Sequence, residues 1–271
     1  MSERVGGLVG RRRVVAVLAA LCVVGVPGAV AVAAAASAET PPQVVDLGAS
    51  TSASGATCRS FSVEVLQTPT DTTRQFVWGQ RCHRGSLSGS KPAQVLVHGG
   101  GYNHLYWDSP YKPAQYSYVA QATLLGYTTI NIDMLGAGNS NHPDPATLTM
   151  TMTTNGYVVH QIVTALKAGS MGPAFSEVIL NGHSMGAGAV QIAAATWNDV
   201  EGVIVSGIGH NLEPNIQNTV GPLLYPAQFE PKFASDPDAV GYLTTLPGKR
   251  AEAFVLPGTI EPGVIEVEEG P

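Results

Sequence analysis

The run Glu177-Val178-Ile179-Leu180-Asn181 leads straight into Gly182-His183-Ser184-Met185-Gly186 and then into the small-residue stretch Ala187 to Ala195. An apolar strand must therefore turn into a helix within about one residue. Such a bend strains the backbone at its apex, and it needs neighbours without side chains two residues before and two after. The order of apolar runs around the bend extends this constraint. Gln94 to Val97, Thr128 to Ile132, Val178 to Leu180 and Val203 to Val205 read as strands buried on both faces. Between them, Gln115 to Leu125, Gly156 to Ala168 and Met185 to Trp197 carry apolar residues at helical intervals. This alternation predicts an α/β fold with a mostly parallel central sheet flanked by helices. One stripe, Tyr118, Ala122 and Leu125, and another, Val159, Ile162, Val163 and Leu166, are the faces expected to pack on that sheet.

A chain of 271 residues, 44% hydrophobic and 13% charged, can bury one sizeable core. Its formal net charge is -6, and outside the first residues it has no basic run, which argues against nucleic acid as a partner. Residues 1–38 read as an export signal. Arg4, Arg11, Arg12 and Arg13 precede the apolar run Val14 to Ala36, and Ala36-Ser37-Ala38 offers small residues for cleavage. The expected location is therefore extracellular. An uncleaved membrane anchor is the rival reading of that run, and the only membrane association expected; Gly25, Pro27 and Gly28 in its middle favour cleavage. Cys22 does not sit in a lipid-attachment pattern, because Leu21 occupies a position that needs a small residue. The export route stays open.

Removal of the signal leaves Cys58 and Cys82. In an oxidising compartment that number makes one bridge. Strand-like runs Phe61 to Leu66 and Gln75 to Gly79 flank a turn at Thr68 to Thr73, which sets the two cysteines nearly opposite across a hairpin. Residues 39–57 are rich in Pro, Ser, Thr, Ala and Gly without an apolar face, and read as a flexible linker. Residues 58–210 form the expected core, and 211–271 a cap-like or irregular segment with no further strand.

The bend predicts more than topology. Ser184 would stand at a helix N-terminus, where unpaired backbone N–H groups favour developing negative charge, so the N–H of Met185 is the first candidate oxyanion donor. The second is expected from Val97-His98-Gly99-Gly100-Gly101, a strand end followed by glycines, with Gly100 as the donor. Met185 matters here for its backbone. His104 and Trp107 are candidates for a substrate pocket beside that loop, and Asp133 is read as a carboxylate that fixes its own loop. His160, between apolar residues of a helix, reads as a hydrogen-bonded boundary histidine.

Three segments carry a resemblance: His98-Gly99-Gly100-Gly101-Tyr102-Asn103-His104, Asp133-Met134-Leu135-Gly136-Ala137-Gly138-Asn139-Ser140, and the bend at Ser184. In order and spacing they resemble the α/β-hydrolase superfamily, and in detail its secreted actinobacterial lipase- or esterase-like members. The resemblance implies a serine carboxylester hydrolase with Ser184 as nucleophile, an acyl-enzyme intermediate, small-molecule or lipid ester substrates, no metal and no cofactor.

The family's order of nucleophile, acid and histidine is not completed. After Ser184 the chain has one histidine, His210, and the later carboxylates Asp236 and Asp238 fall in a loop-like stretch. The expected strand–Asp and strand–Gly-His elements have no counterpart, so the fold reads as C-terminally shortened. His210 is the candidate base, and also reads as a pocket or cap residue. A serine without a base is a poor nucleophile at neutral pH. A catalytically impaired remnant or a non-enzymatic binding protein is therefore the competing reading, and a cofactor-free haloperoxidase a third. If the sheet ends near Val205, that strand becomes an exposed edge, and self-association is expected.

Overall fold

A computed structural model describes residues 40–147, 149–209 and 216–270. The export signal expected at 1–38 and the candidate base His210 lie outside the described residues.

Seven strands form one sheet: β1 (Val44–Ser50), β2 (Thr57–Leu66), β3 (Arg74–His83), β4 (Ala93–Val97), β5 (Thr128–Ile132), β6 (Val178–His183) and β7 (Gly202–Ser206). Their order across the sheet is β1-β2-β3-β5-β4-β6-β7. The β1, β2, β3 and β5 neighbours pair antiparallel, whereas β5, β4, β6 and β7 run parallel. The fold class is the one the strand and helix alternation predicts.

The central strands form where β-branched and aliphatic residues run without interruption, because both faces of those strands are covered. In β4, Val95 and Val97 point into the larger apolar cluster and Leu96 into a second one on the other face. The larger cluster is closed by α3 (Met152–Lys167) and α4 (Met185–Trp197), through Val158, Val159, Ile162, Val163 and Leu166 of the former and Val190 and Ala193 of the latter. Each such side chain, fully withdrawn from water, contributes about 1.5–3 kcal/mol. On the opposite face the short helices α1 (Pro113–Tyr116) and α2 (Tyr118–Leu124) are separated at Ser117, whose hydroxyl caps α2 through the Ala120 N–H. That break shifts the helical phase. Val119, Ala120, Ala122 and Thr123 are buried, while Leu125, expected on the packed face, is 75% exposed.

Residues 39–57 differ from the linker expectation, because β1 lies within them and pairs with β2 along its length. It is an edge strand with mostly exposed side chains. Its order comes from backbone hydrogen bonds, which leave no apolar signature in composition. In the hairpin of β2 and β3, Cys58 faces Cys82 directly, and a disulfide joins them. β7 also departs from expectation. Among the described residues it is an edge rather than a doubly covered strand, the alternative raised for a sheet that ends near Val205, with Val203, Ile204 and Val205 exposed at 40%, 43% and 47%.

From residue 216 onward come α5 (Ile216–Thr219), the two-stranded ladder of β8 (Leu224–Pro226) and β9 (Leu243–Thr245), several single-turn 3-10 helices, α6 (Arg250–Phe254) and α7 (Pro262–Glu269). This stretch is irregular, and β8 and β9 are too short to show an alternating pattern in sequence. It is clipped to α1 and to the loops before α1 and after β5 by polar contacts. Tyr111 and Tyr116 donate their hydroxyl groups to Glu261 at 2.8 and 3.3 Å, Lys112 pairs with the same carboxylate, and Tyr242 donates to the Pro143 carbonyl at 2.6 Å.

Candidate active site

The chain leaves β4 toward β5 on one side of the sheet, and later returns through α3 to β6 on the other. The point where strand order reverses opens a crevice at the carboxyl ends of β4 and β6. Val97 and Gly182 are partners in the ladder there. The loops that follow them, beginning at His98 and His183, therefore emerge side by side.

Ser184 occupies the bend between β6 and α4 with φ 51° and ψ −118°. A non-glycine residue in that region stores about 1–3 kcal/mol of backbone strain, held in place by its surroundings. The surroundings are tight. A Cβ at Gly182 would collide with the Gly186 carbonyl oxygen, and one at Gly186 with the carbonyl oxygens of Val97 and His98. The Ser184 N–H donates to the Ser206 carbonyl oxygen at 2.9 Å, tying the bend to β7. Its side chain is half-buried and does not cap the helix behind it. Among the described residues, none hydrogen bonds to the Ser184 hydroxyl. The first N–H groups of α4 have no partner within the helix, which gives this end a positive partial charge.

The glycine loop lies against the bend. A Cβ built on Gly99 would stand 3.1 Å from the Ser184 Cβ and 3.2 Å from the His183 Cδ2, and one on Gly100 would meet the Met185 sulfur. His98 anchors the loop. Its Nε2 accepts the Met134 N–H at 3.0 Å, so the proton resides on Nδ1, which donates to the Gly99 carbonyl oxygen at 2.7 Å. Complete burial lowers the pKa of this imidazole, keeping it in the neutral form the two bonds require.

Asp133 fixes the neighbouring loop. Its carboxylate accepts the His104 N–H at 2.6 Å, the His104 Nδ1–H at 2.9 Å and the Asn139 N–H at 2.9 Å. Burial alone would raise this carboxyl, but the hydrogen bond and charge of His104, together with the Asn139 N–H, hold it below the usual carboxylate range.

Two pocket expectations are corrected. His104 is held by Asp133 and packs on the Trp78 ring, with centroids 4.5 Å apart. Trp107 is 6% exposed, in the cluster with Cys58, Cys82, Leu96 and Val119. Neither lines the cleft. The helical turn His104–Tyr106 directs these two side chains inward and leaves Tyr106 facing the site, stacked on His183 at 4.6 Å. His183 itself meets the Ser206 hydroxyl at 3.1 Å, and burial lowers its pKa. His160 pairs with Asp199 at 2.7 Å and stacks on Trp197, away from the cleft.

The cleft, of about 820 Å³, is walled by Tyr102, Met134, Met185, Tyr242, Arg250 and Glu268 among others. Asp236 also lines it and accepts the Asp238 N–H at 2.9 Å. Tyr102 stood in a segment already singled out. Arg250 and Glu268 come from α6 and α7, with no local pattern to mark them. Burial pushes the Tyr106 hydroxyl up to about 12 and the Tyr102 hydroxyl higher still, so both remain neutral donors. Among the described residues, no three His, Cys, Asp or Glu side chains converge as a metal site requires.

The model of the alpha/beta hydrolase family matches residues 94–263, more than half of the chain. The chain belongs to the alpha/beta hydrolase family. The match carries this hydrolase past His210 and through the segment that bears Arg250. No curated protein matches it. Among solved structures, this alpha/beta hydrolase is similar to a putative hydrolase of Legionella pneumophila, at 15% identity and a TM-score of 0.47, over 66% of this chain and 54% of the other. A putative acetyl xylan esterase of Bacteroides fragilis matches at 13% identity and a TM-score of 0.46, over 60% and 48%. An epoxide hydrolase from an endophytic Streptomyces matches at 22% identity and a TM-score of 0.36, over 53% and 36%. The chain thus spans about half, or less, of the length of these structures.

Proposed function

We propose that this alpha/beta hydrolase cleaves small-molecule or lipid carboxylic esters outside the cell, through an acyl-enzyme on Ser184. The observation that carries the reading is the strained bend that sets Ser184 against the glycine loop. In the proposed reaction the Ser184 oxygen adds to the ester carbonyl carbon and its proton passes to a base. The carbonyl oxygen, now an anion, accepts the N–H groups of Met185 and Gly100. Collapse expels the alcohol, which takes the proton, and water repeats the sequence to release the acid. His210 is the proposed base. It follows Ser206, the residue bonded to the Ser184 N–H, by four positions, a reach of up to about 13 Å.

A fluorophosphonate probe tests this reading. Wild-type protein is expected to be labelled, Ser184→Ala not at all, and His210→Ala more slowly by about 10²–10⁴-fold. The Ser184 hydroxyl has no hydrogen-bond partner among the described residues, which favours a second reading, a binding protein descended from an enzyme. Folded, soluble protein that resists the probe would establish that one. For secretion, the mature chain recovered from culture medium is expected to begin near Glu39.

A further inference from the structure

Arg250 opens α6 with its side chain 8% exposed, in the cleft wall beside the glycine loop. Its guanidinium packs against the neighbouring rings of Tyr102, 4.1 Å away, and Phe254, 5.3 Å away. A guanidinium carries five N–H donors and is always charged. Among the described residues none accepts a hydrogen bond from it. The Glu268 carboxylate stands 3.4 Å from Nε as an ion pair, and Nε is buried without a hydrogen bond. Glu268 also accepts the Tyr102 hydroxyl at 3.3 Å, and burial raises its pKa against the opposing pull of Arg250.

The other charged groups of the cleft are engaged. Lys232 donates to the Glu269 carbonyl at 2.9 Å and pairs with Glu230 at 3.2 Å, while Glu269 accepts the N–H groups of Gly248 and Arg250 at 3.3 and 3.0 Å. The Nη groups of Arg250 have no acceptor among the described residues, so beyond the Glu268 ion pair they remain free to meet an anion in the cleft. Its Nη1 lies 3.7 Å from where a Cβ on Gly101 would stand, one residue beyond the proposed oxyanion donor.

We propose that Arg250 binds a carboxylate carried by the substrate, and that the esters cleaved at Ser184 are half-esters of short dicarboxylic acids. The inference rests on the Ser184 reading. The Arg250 Nη1 lies beside Gly101, the residue after the proposed oxyanion donor, so an acid of only a few carbons would join the two sites. A bidentate guanidinium–carboxylate pair in a dry site is favourable enough to set specificity.

Two substrates of equal length test it: mono-4-nitrophenyl glutarate and 4-nitrophenyl valerate. Wild-type protein is expected to favour the glutarate at least ten-fold in kcat/KM, mainly through KM. Arg250→Met should erase that preference, and Arg250→Lys restore part of it. Equal kcat/KM on the two esters in wild type, or an Arg250→Met loss of the same size on both, would overturn the proposal. Calorimetric titration of free glutarate into Ser184→Ala separates this from the catalytic reading. Binding that disappears when Arg250→Met is added supports the carboxylate site even if the probe never labels Ser184. A labelled Ser184 with no glutarate binding sinks the carboxylate site alone.

Discussion

His98 shows how far one side chain can be committed by its position. Both of its ring nitrogens are in use, one accepting from Met134 and one donating to Gly99, and no solvent reaches it. Protonation would remove the acceptor and place a charge in an apolar interior, so the folded state holds the His98 pKa below 6.5. The unfolded chain binds this proton below about pH 6.5 and the folded one does not, so stability falls as pH drops through that value. Urea unfolding between pH 8 and 5 should show a decline of up to about 1.4 kcal/mol per pH unit from this residue. His98→Asn should lose that part of the slope. Below the ordinary carboxylate range Asp133 acts in the same direction, because its folded pKa is lowered too. At this scale the sequence was most legible where the requirement is steric and local. Gly182 and Gly186 are demanded by the bend itself, and Gly99 by its contact with Ser184. Whether His104 and Trp107 line a pocket or pack in the core is not legible, because nothing in their spacing tells which way the side chains around a single helical turn point.

Among the elements, the β2–β3 hairpin carries the disulfide that the cysteine count and spacing suggest. It closes a loop with a sequence separation of 24. Replacing both cysteines by alanine should lower unfolding stability by about 2–4 kcal/mol, read from the urea midpoint together with the slope, which rises if the freed unfolded chain expands. The buried strands and α3 and α4 were legible because covered elements must be apolar at a regular period. The exceptions lie at the margins. β1 owes its existence to pairing with β2, α2 changes phase where Ser117 caps it, and β8 and β9 are too brief to carry a pattern. Arg250 and Glu268 are the harder case. They reach the cleft only because α6 and α7 are folded back over the sheet and held by Tyr111, Tyr116 and Lys112, and no local residue pattern records that return.

For the molecule as a whole, the open edge at β7 is the dominant liability. Among the described residues no strand pairs with its outer side, and with Val203, Ile204 and Val205 exposed it is a template for another strand. Sedimentation of purified protein should show self-association that rises with concentration, and Val205→Lys should shift it toward monomer. A monodisperse wild type at high concentration would remove this expectation. The same rim also holds Ser184 in its bend, since the Ser206 carbonyl takes the Ser184 N–H and the Ser206 hydroxyl meets His183. A neighbour docking along that border would tug on the seat of the proposed nucleophile, so crowding and the proposed reactivity become two readings of one mechanical linkage.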